Sequence, residues 1–461
     1  AVKFAGNPVF RAETDRELGA STQGERGERA TVFTGQGGVF YDPAEKLFKM
    51  FYVAGWRGAL SLATSPDMKN WSRQGELLKE GLQWTGPKLV TGGSDNCVWL
   101  DLNATDPIER IKYLTCWLHV PASMRPKGFH HSLHVSDGKT WSDAVPTTMA
   151  ADDYCSFFFN PFRQKWCFSI KHTEQRGRCR YYLESDEFLK GADWDKSVYW
   201  TNADRLDTPE PAGRYPGAGE TPQLYSLNAV AYESLMVGMH YIHRGPNNGV
   251  CDKGEFPKLI DLELGFSRDG FHWDRPDRSG FITGSRTEGS WDRAYLHGTA
   301  GVFVVLDDQL IFPYMGTSGI APNGDRGMYT GGSIGLATLR RDGFASMDGE
   351  GELTTRPVRF EGSHLFVNLN GALRVEILDE KDTVIATSKP AEGDHTKLRL
   401  EWIGREDLAE LSGRAVRFRF HQEKGSLYSF WVTKDKSGAS NGYVGAGGPE
   451  FSGVRDSLPT P

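Results

Sequence analysis

One short pattern recurs along this sequence: an apolar run, a turn that contains aspartate, and a tryptophan four residues after that aspartate. It reads ATSPDMKNW around Asp67, LHVSDGKTW around Asp137 and GFSRDGFHW around Asp269. Two weaker copies, without the tryptophan in that place, carry Asp186 and Asp342. The outermost aspartates stand four intervals apart, which gives about 69 residues per unit. This regular recurrence predicts a chain built from five similar structural units.

Each unit contains three runs of strand length before its aspartate. In the fourth unit these are LNAVAYES, LMVGMHYIHRG and LELGFSRDG, and a weaker fourth strand is expected after the turn. Aromatic residues make up 12% of the chain and there are 54 glycines, which favours an all-β fold with tight turns. Four antiparallel strands repeated five times predict a five-bladed β-propeller over residues 1–351. The aspartate is expected to cap the turn and the tryptophan to pack between blades.

The pattern changes after about residue 352. Longer alternating segments appear, such as ALRVEILDE and AVRFRFHQE, and the propeller pattern is absent. Strict alternation over such lengths predicts strands with one buried face. We therefore expect a C-terminal β-sandwich over residues 352–461, ending in an extended tail from about Thr433 that packs on the surface.

Charge and hydropathy exclude several classes of partner. The formal net charge is −7, so nothing favours nucleic acid or an anionic membrane. No run of 18 apolar residues occurs, and a membrane span is not expected. The first residue is Ala1 rather than Met, which favours a secreted or periplasmic protein whose leader has been removed.

The six cysteines do not form a metal-binding pattern. None belongs to a CxxC pair, so a zinc site is not expected. Each lies in or beside an apolar run, which favours buried free thiols. Disulfides between Cys97 and Cys116, or between Cys155 and Cys167, remain open alternatives.

In a propeller, residues just before the innermost strand of each blade converge on one end of the central channel. Before the first run of the second, third and fourth units stand Asp95, Asp153 and Glu220. Three carboxylates at one narrow site have the means to divide acid and base roles, because crowding separates their pKa values. We predict Glu220 as the general acid, Asp95 as the base or nucleophile, and Asp153 as a third carboxylate that orients the sugar or tunes Glu220.

Other polar and aromatic residues at the same end are predicted to contact the substrate. Trp56 offers a stacking face, and cationic side chains beside it offer clamps for hydroxyl or carboxylate groups. The predicted substrate-binding residues are Gln36, Trp56, Arg57, His130, Asp152, Arg293 and His297. No metal ligand set is expected among them.

A propeller followed by a β-sandwich resembles the invertase and β-fructosidase group, glycoside hydrolase family 32. Propeller-only relatives include family 43. The C-terminal stretches LTTRPVRFEGSHLFVNLNGALRVEILDE and LEWIGREDLAELSGRAVRFRF resemble modules of family-32-like proteins. In the first blade, FTGQGGVFYDP carries Gln36 where the family places its nucleophile, and the other family motifs are absent. The resemblance thus implies architecture and reaction class, and supplies no catalytic residue by motif.

Some five-bladed relatives use a propeller histidine as the acid, so the resemblance adds His297 as an alternative acid. It also leaves room for a structural calcium ion, although no cofactor is expected. The resulting expectation is an exo-acting glycoside hydrolase that releases a terminal sugar from a plant or algal poly- or oligosaccharide, as a monomer or simple homo-oligomer. The alternatives are a non-catalytic carbohydrate-binding protein and a glycoside phosphorylase on the same scaffold.

Overall fold

The protein is nearly all β. The structure is a computed structural model that describes residues 1–19, 30–56, 58–77, 96–117, 130–254, 256–322, 324 and 326–457. Its single α-helix in these ranges is α1 (Asn248–Asp252), and its short 3-10 turns are Pro107–Glu109, Leu189–Ala192, Trp194–Lys196 and Ala409–Leu411. Within them, no helix has the length and apolar character needed to cross a membrane.

The first three antiparallel sheets follow the predicted units closely. After a short β1 (Val2–Lys3), the first sheet contains β2 (Val32–Phe33), β3 (Val39–Asp42), β4 (Leu47–Ala54), β5 (Ala59–Ser65) and β6 (Ser72–Glu76). The second contains β7 (Asn96–Leu100), β8 (Ile111–Trp117), β9 (His130–Ser136) and β10 (Val145–Pro146). The third contains β11 (Ser156–Asn160), β12 (Lys165–Glu174), β13 (Gly177–Ser185) and β14 (Val198–Asn202).

The fourth and fifth sheets borrow strands from distant parts of the chain. The fourth contains β15 (Gln223–Glu233), β16 (Leu235–His243) and β17 (Ile260–Ser267), and the fifth contains β18 (Ala294–His297), β19 (Val304–Leu306), β20 (Gln309–Thr317) and β21 (Gly332–Arg340). The N-terminal β1 pairs with β21 and so supplies an edge strand of the fifth sheet. The predicted outer strand of the fourth sheet is reduced to bridges at Asp274 and Ile282.

The first strands of successive sheets contact one another in chain order. β3 contacts β7, β7 contacts β11, and β11 contacts β15. The rings of Tyr232 in β15 and Phe303, directly before β19 of the fifth sheet, have centroids 5.3 Å apart. A parallel bridge between Gly38 and Ala300 then joins the fifth sheet to the first. These contacts run through all five sheets and return to the starting one.

The recurring aspartates cap their turns, as predicted. Asp67 Oδ1 accepts hydrogen bonds from the backbone nitrogens of Lys69 (2.9 Å) and Asn70 (2.8 Å), and Asp137 and Asp269 do the same in their turns. The tryptophan of the fourth sheet has two kinds of neighbour. Trp273 packs against His240 of its own sheet, with ring centroids 5.6 Å apart, and against a buried cluster that contains residues of the third and fourth sheets, such as Phe158 and Met236. The second contact agrees with the predicted packing of tryptophan between units.

A C-terminal segment lies at the far ends of these first strands. β28 (Tyr443–Val444) pairs with the end of β15. Ala446 N donates to Phe303 O (3.0 Å), and Ala446 O accepts from Tyr41 N (3.0 Å). A cavity of about 40 Å³ beside the segment has a largely apolar lining. Part of the tail expected to lie extended on the surface is therefore a buried strand.

The remaining strands form one six-stranded sheet with its own core. They are β22 (Met347–Asp348), β23 (Gly351–Thr354), β24 (His364–Leu378), β25 (Val384–Thr387), β26 (Ala391–Arg399) and β27 (Arg417–Thr433). The long β24 and β27 pair along their whole length, with bulges where β24 passes Asn368 and Ala372. Alternate residues of both strands, including Val375 and Phe418, are buried in one cluster.

The chain divides into two compact units, and the division differs from the expected boundary at 351/352. One unit is Ala1–Val304, Ile311–Thr338 and Tyr443–Val454; the other is Val305–Leu310, Leu339–Gly442 and Arg455–Pro461. The difference arises because the chain returns to the first unit through β28. All six cysteines are buried and free, so neither disulfide alternative forms.

Candidate active site at the beginnings of the first strands

Four buried rings meet where the first strands of the third, fourth and fifth sheets begin. Tyr154 precedes β11, Tyr225 lies near the start of β15, and Tyr295 and His297 lie in β18. The Tyr154 hydroxyl is hydrogen-bonded to His297 Nδ1, and the hydroxyls of Tyr225 and Tyr295 are 3.0 Å apart. Strands from three sheets thus place four groups that can carry protons in one cluster, which we call the tyrosine–histidine cluster.

His297 is a neutral hydrogen-bonding group in this cluster. Its side chain is fully buried, and its Nε2 has no hydrogen-bond partner among the described residues. Burial, reinforced by the positive charges of Lys258 and Lys171, holds the pKa of His297 well below its ordinary value. A neutral imidazole at physiological pH offers a hydrogen bond to a ligand but has no spare proton to act as a strong acid.

Asp153 stands beside the cluster as an ionised carboxylate. It forms an ion pair with Lys171, whose side chain is almost fully buried, while 37% of the Asp153 side chain is exposed. Desolvation would raise the pKa of Asp153, but Lys171, Lys258 and Arg178 outweigh it and lower that pKa. The predicted third carboxylate is therefore present and charged, and it is accessible from one side.

Three cations surround the ring of Tyr225. Lys171 Nζ, Lys258 Nζ and the Arg178 guanidinium lie 4.7, 5.5 and 5.6 Å from its centroid. Asp153 is the one carboxylate in an ion pair with any of them among the described residues. We call Lys171, Arg178 and Lys258 the cation cluster. Within the described part of the chain, its positive charges outnumber the carboxylates paired with them.

An aromatic stack adjoins the cluster. Trp56 stacks on Tyr329 with ring centroids 3.8 Å apart and planes 21° from parallel. Tyr329 in turn lies 5.8 Å from Tyr295, and Phe33 lies 5.5 Å from Trp56, edge to face. Trp56 and Tyr329 are both partly buried.

Gln36 is fully buried beside Tyr154 of this cluster. Its Nε2 donates to Tyr154 O (3.1 Å) and to Ser226 Oγ (2.6 Å), and its Oε1 has no hydrogen-bond partner among the described residues. The two bonds cross-link the starts of three first strands. Gln36 thus has a structural role here, and its contact with substrate stays a prediction.

Glu220 is partly buried in the loop before β15. Its Oε1 accepts from Asn247 N and Asn247 Nδ2, both at 3.0 Å. No hydrogen bond or ion pair joins it to Asp153 among the described residues. Asp95 lies outside the described residues, although its neighbour Asn96 begins β7 and is buried.

The other predicted binding residues are spread more widely. Asp152 Oδ2 accepts from Thr173 Oγ1 (2.6 Å) one residue before Asp153. His130 begins β9, and burial lowers its pKa. Arg293 is buried over the ring of Phe256, 4.8 Å from its centroid, with no recorded contact to the tyrosine–histidine cluster. Arg57 lies outside the described residues.

The cation cluster is not among the residues predicted from the sequence, since the predicted residues precede the first strands or lie near Trp56, Arg57 and His130. Lys171 and Arg178 come from β12 and β13, and Lys258 precedes β17. One signal was readable: KWCFSIKHT places a lysine at the end of an apolar run, and KLIDLELGF places another directly before one. In the described residues, no three His, Cys, Asp or Glu side chains are arranged to hold a metal ion.

Comparisons with known proteins give distant likenesses only. No protein-family model matches the sequence, and no curated protein matches it significantly. A thermostable family-43 glycoside hydrolase aligns with 11% identity and a TM-score of 0.45, over 66% of this chain and 88% of that one. An exo-inulinase from Aspergillus awamori aligns with 12% identity and a TM-score of 0.41, over 88% and 95%. A fructofuranosidase from Schwanniomyces occidentalis aligns with 10% identity and a TM-score of 0.42, over 88% and 96%. At such scores the function has to be argued from the site itself.

Proposed function

We propose that the protein is an exo-acting glycoside hydrolase whose active site lies at the beginnings of the first strands. The observation that carries the proposal is the meeting of the ionised Asp153, the tyrosine–histidine cluster and the Trp56–Tyr329 stack in one place. Sugar-cleaving sites combine an aromatic face that holds the ring with carboxylates that act on the glycosidic bond. Both elements are contributed here by separate sheets.

The scaffold we propose is a five-bladed β-propeller followed by a β-sandwich. The continuous contacts from β3 through β15 to Phe303, and back to β3 through the Gly38–Ala300 bridge, support a closed ring of five blades. The length and bulges of β24 and β27 support a sandwich, because long bent strands can contribute to two layers.

The proposed exo action follows from the two ends of the first strands. The segment from Tyr443 to Gly447 occupies their far ends, with Val444 fully buried. A polysaccharide cannot thread through a channel that is closed at one end. A substrate entering from the Asp153 side would therefore present a chain end, and a terminal sugar would be released.

Asp153 is proposed as the carboxylate that activates water or attacks the anomeric carbon. Its ion pair with Lys171 favours the charged form that either role requires. Glu220 remains the proposed general acid and Asp95 the proposed further carboxylate. His297 is proposed as a hydrogen-bond partner of the sugar, since its low pKa disfavours the acid role.

The remaining expectations are part of the proposal. Trp56 stacks on the sugar, and Arg57, His130, Asp152 and Arg293 contact more distant parts of the substrate. The protein acts outside the cytoplasm on plant or algal poly- or oligosaccharides, without a cofactor, as a monomer or simple homo-oligomer.

A hydrolysis screen tests the proposal directly. The full chain is incubated with plant and algal oligosaccharides, and released monosaccharide is quantified for the parent, Asp153→Asn and Glu220→Gln. General acid and base groups contribute about 10²- to 10⁴-fold, so each variant is expected to lose at least about 100-fold in kcat. Asp186→Asn is the matched control, since that carboxylate is 80% exposed on an outer turn.

Two outcomes would count against hydrolysis. Full turnover by a folded Asp153→Asn protein would remove Asp153 from the reaction. Tight binding of an oligosaccharide with no released sugar from any substrate would favour the non-catalytic carbohydrate-binding alternative.

A further inference from the structure

We propose that the sugar bound at this site carries an oxyanion, such as a uronate carboxylate or a sulfate ester, which is received by Lys258 together with Lys171 and Arg178. The inference rests on the proposed function, because it places the anion on the sugar substrate. It adds the class of substrate to the proposed glycoside hydrolysis.

The inference depends most on Lys258. Its side chain is 2% exposed, and its ammonium forms no hydrogen bond or ion pair with any residue that the structure describes. The ammonium lies over the faces of Tyr225 and Tyr295, 5.5 and 5.3 Å from the ring centroids, and the charge of Asp153 also acts on it. A buried charge normally has a counter-ion and hydrogen bonds, because removing it from water is costly. Within the described part of the chain this ammonium has no direct polar partner, and a ligand can supply one.

The surrounding charges point to an anion rather than to a neutral ligand. Asp153 pairs with Lys171, and Arg178 donates to Gln223 Oε1 (2.9 Å), which is neutral. Among the described residues, these three cations thus share one ion-paired carboxylate around a single tyrosine ring. An oxyanion placed among them would gain charge-assisted hydrogen bonds and relieve the mutual repulsion of the cations.

The position of the aromatic stack favours an anion attached to a sugar. Tyr295 contacts the cation cluster through Lys258 and the stack through Tyr329. A sugar ring lying on the stack would therefore direct a substituent toward Lys258. The same cations would also bind free inorganic phosphate, as a phosphorylase requires, and the experiment has an arm for that source.

The burial of Lys258 also affects its charge state. Desolvation, followed by the charge of Arg178, lowers the pKa of Lys258 to about 8. The ammonium is still the main form at neutral pH, so it is available to an anion. The competing explanation is a purely structural lysine held by cation–π contacts, and it predicts no selectivity among ligands.

The test measures binding by calorimetry and by thermal shift on the full chain, without requiring turnover. The probes are glucuronate, galacturonate and galactose 6-sulfate, the neutral sugars glucose and galactose, and inorganic phosphate alone. We expect the matching anionic sugar to bind at least tenfold more tightly than its neutral counterpart. Lys258→Met is expected to abolish that preference, and Lys190→Met, at an exposed surface position, is the matched control.

Arg178→Gln is the second variant, since Arg178 is only partly buried and the exchange carries less risk to folding. It is expected to weaken anionic probes severalfold and to leave neutral sugars unchanged. Equal binding of anionic and neutral sugars, or binding of none of the probes, would overturn the inference. Phosphate binding that Lys258→Met abolishes, with turnover that requires phosphate, would overturn the sugar-borne anion and assign the cations to phosphate.

The two proposals fail in different ways. Anionic sugars that bind through Lys258 without any release of product would overturn the hydrolase and leave this inference standing. Hydrolysis confined to neutral glycans, unchanged in Lys258→Met, would do the reverse.

Discussion

The two ends of the first strands follow opposite principles. At their beginnings, near the charged Asp153, Lys258 and His297 are buried, and neither Lys258 Nζ nor His297 Nε2 has a hydrogen-bond partner among the described residues. At their far ends, β28 satisfies the backbone of β15, and Val444 is packed to zero exposure. The buried polar groups at the beginnings of the first strands lower the stability of the fold but are suited to bind a ligand. At the far ends, β28 from the C-terminal part of the chain raises that stability. This contrast separates stability from function along single strands.

The largest expected effect comes from a substitution in β28, at the far ends of the first strands. Val444→Asp places a carboxylate in a fully buried position of β28, where it pairs with β15. We expect a loss of at least about 3 kcal/mol in the free energy of unfolding, because burying an unpaired charge is among the most costly exchanges. Urea denaturation followed by fluorescence measures it.

Val198→Asp is the matched control, since Val198 is 53% exposed at the start of an outer strand. It is expected to change stability by less than about 0.5 kcal/mol. Equal stability of the two variants would mean that β28 does not hold the far ends together.

The two ends of the first strands differ in how much of their structure could be predicted from the sequence. The recurring aspartates predicted the five groups of strands, because turn capping and period-two alternation are local properties that a sequence displays directly. Asp153 and His297 were placed at the beginnings of first strands by the same reasoning. The joining of Val444 to β15 was not predictable, since nothing local in GYVGAGG specifies a partner some 200 residues earlier in the chain.

The cation cluster was not predicted from the sequence, for a different physical reason. A lysine side chain is long enough to reach a site from a strand that is not the first one, so its position in sequence does not reveal the place of its charge. Lys171 comes from the second strand of its sheet, and Lys258 precedes the third strand of its own. Gln36 precedes a first strand, and its buried side chain also links three first strands, a structural role that its place in the sequence did not reveal.

A smaller change in stability, of opposite sign, is expected at the beginnings of the first strands. Lys258→Met replaces an unpaired buried ammonium with an apolar side chain of similar length. We expect a gain of about 1–2 kcal/mol at pH 7, because exchanging a buried charge for a well-packed apolar group often stabilises. The parent and variant are compared by urea denaturation over a range of pH.

The pH dependence identifies the cause. The pKa of Lys258 is lowered to about 8 in the folded protein, whereas an unfolded lysine titrates near pH 10.4. Between these values the unfolded chain binds more protons, so this group's contribution to stability is lowest below pH 8 and rises toward pH 10.4. The gain in Lys258→Met should therefore shrink across that window. A variant that is less stable than the parent at every pH would show that the cation–π contacts outweigh the cost of burial.

The smallest effect is expected at the outer turns, which belong to neither end. Asp67→Ala removes a carboxylate that caps two backbone nitrogens, and a loss of about 1 kcal/mol is expected from comparable caps. Desolvation opposes ionisation, but the hydrogen bonds from Asn70 and Lys69 lower the pKa of Asp67 to about 2. The contribution of the charge is thus complete above pH 4 and is lost as the pH falls through about 2, so the gap between parent and variant in urea should narrow on acidification. Asp67→Asn keeps one acceptor oxygen but no charge, so above pH 4 its stability should lie between those of Asp67→Ala and the parent. Asp67 is expected to affect stability and not ligand binding. A change in sugar affinity in Asp67→Ala would contradict this, because it would link an outer turn to the site at the beginnings of the first strands.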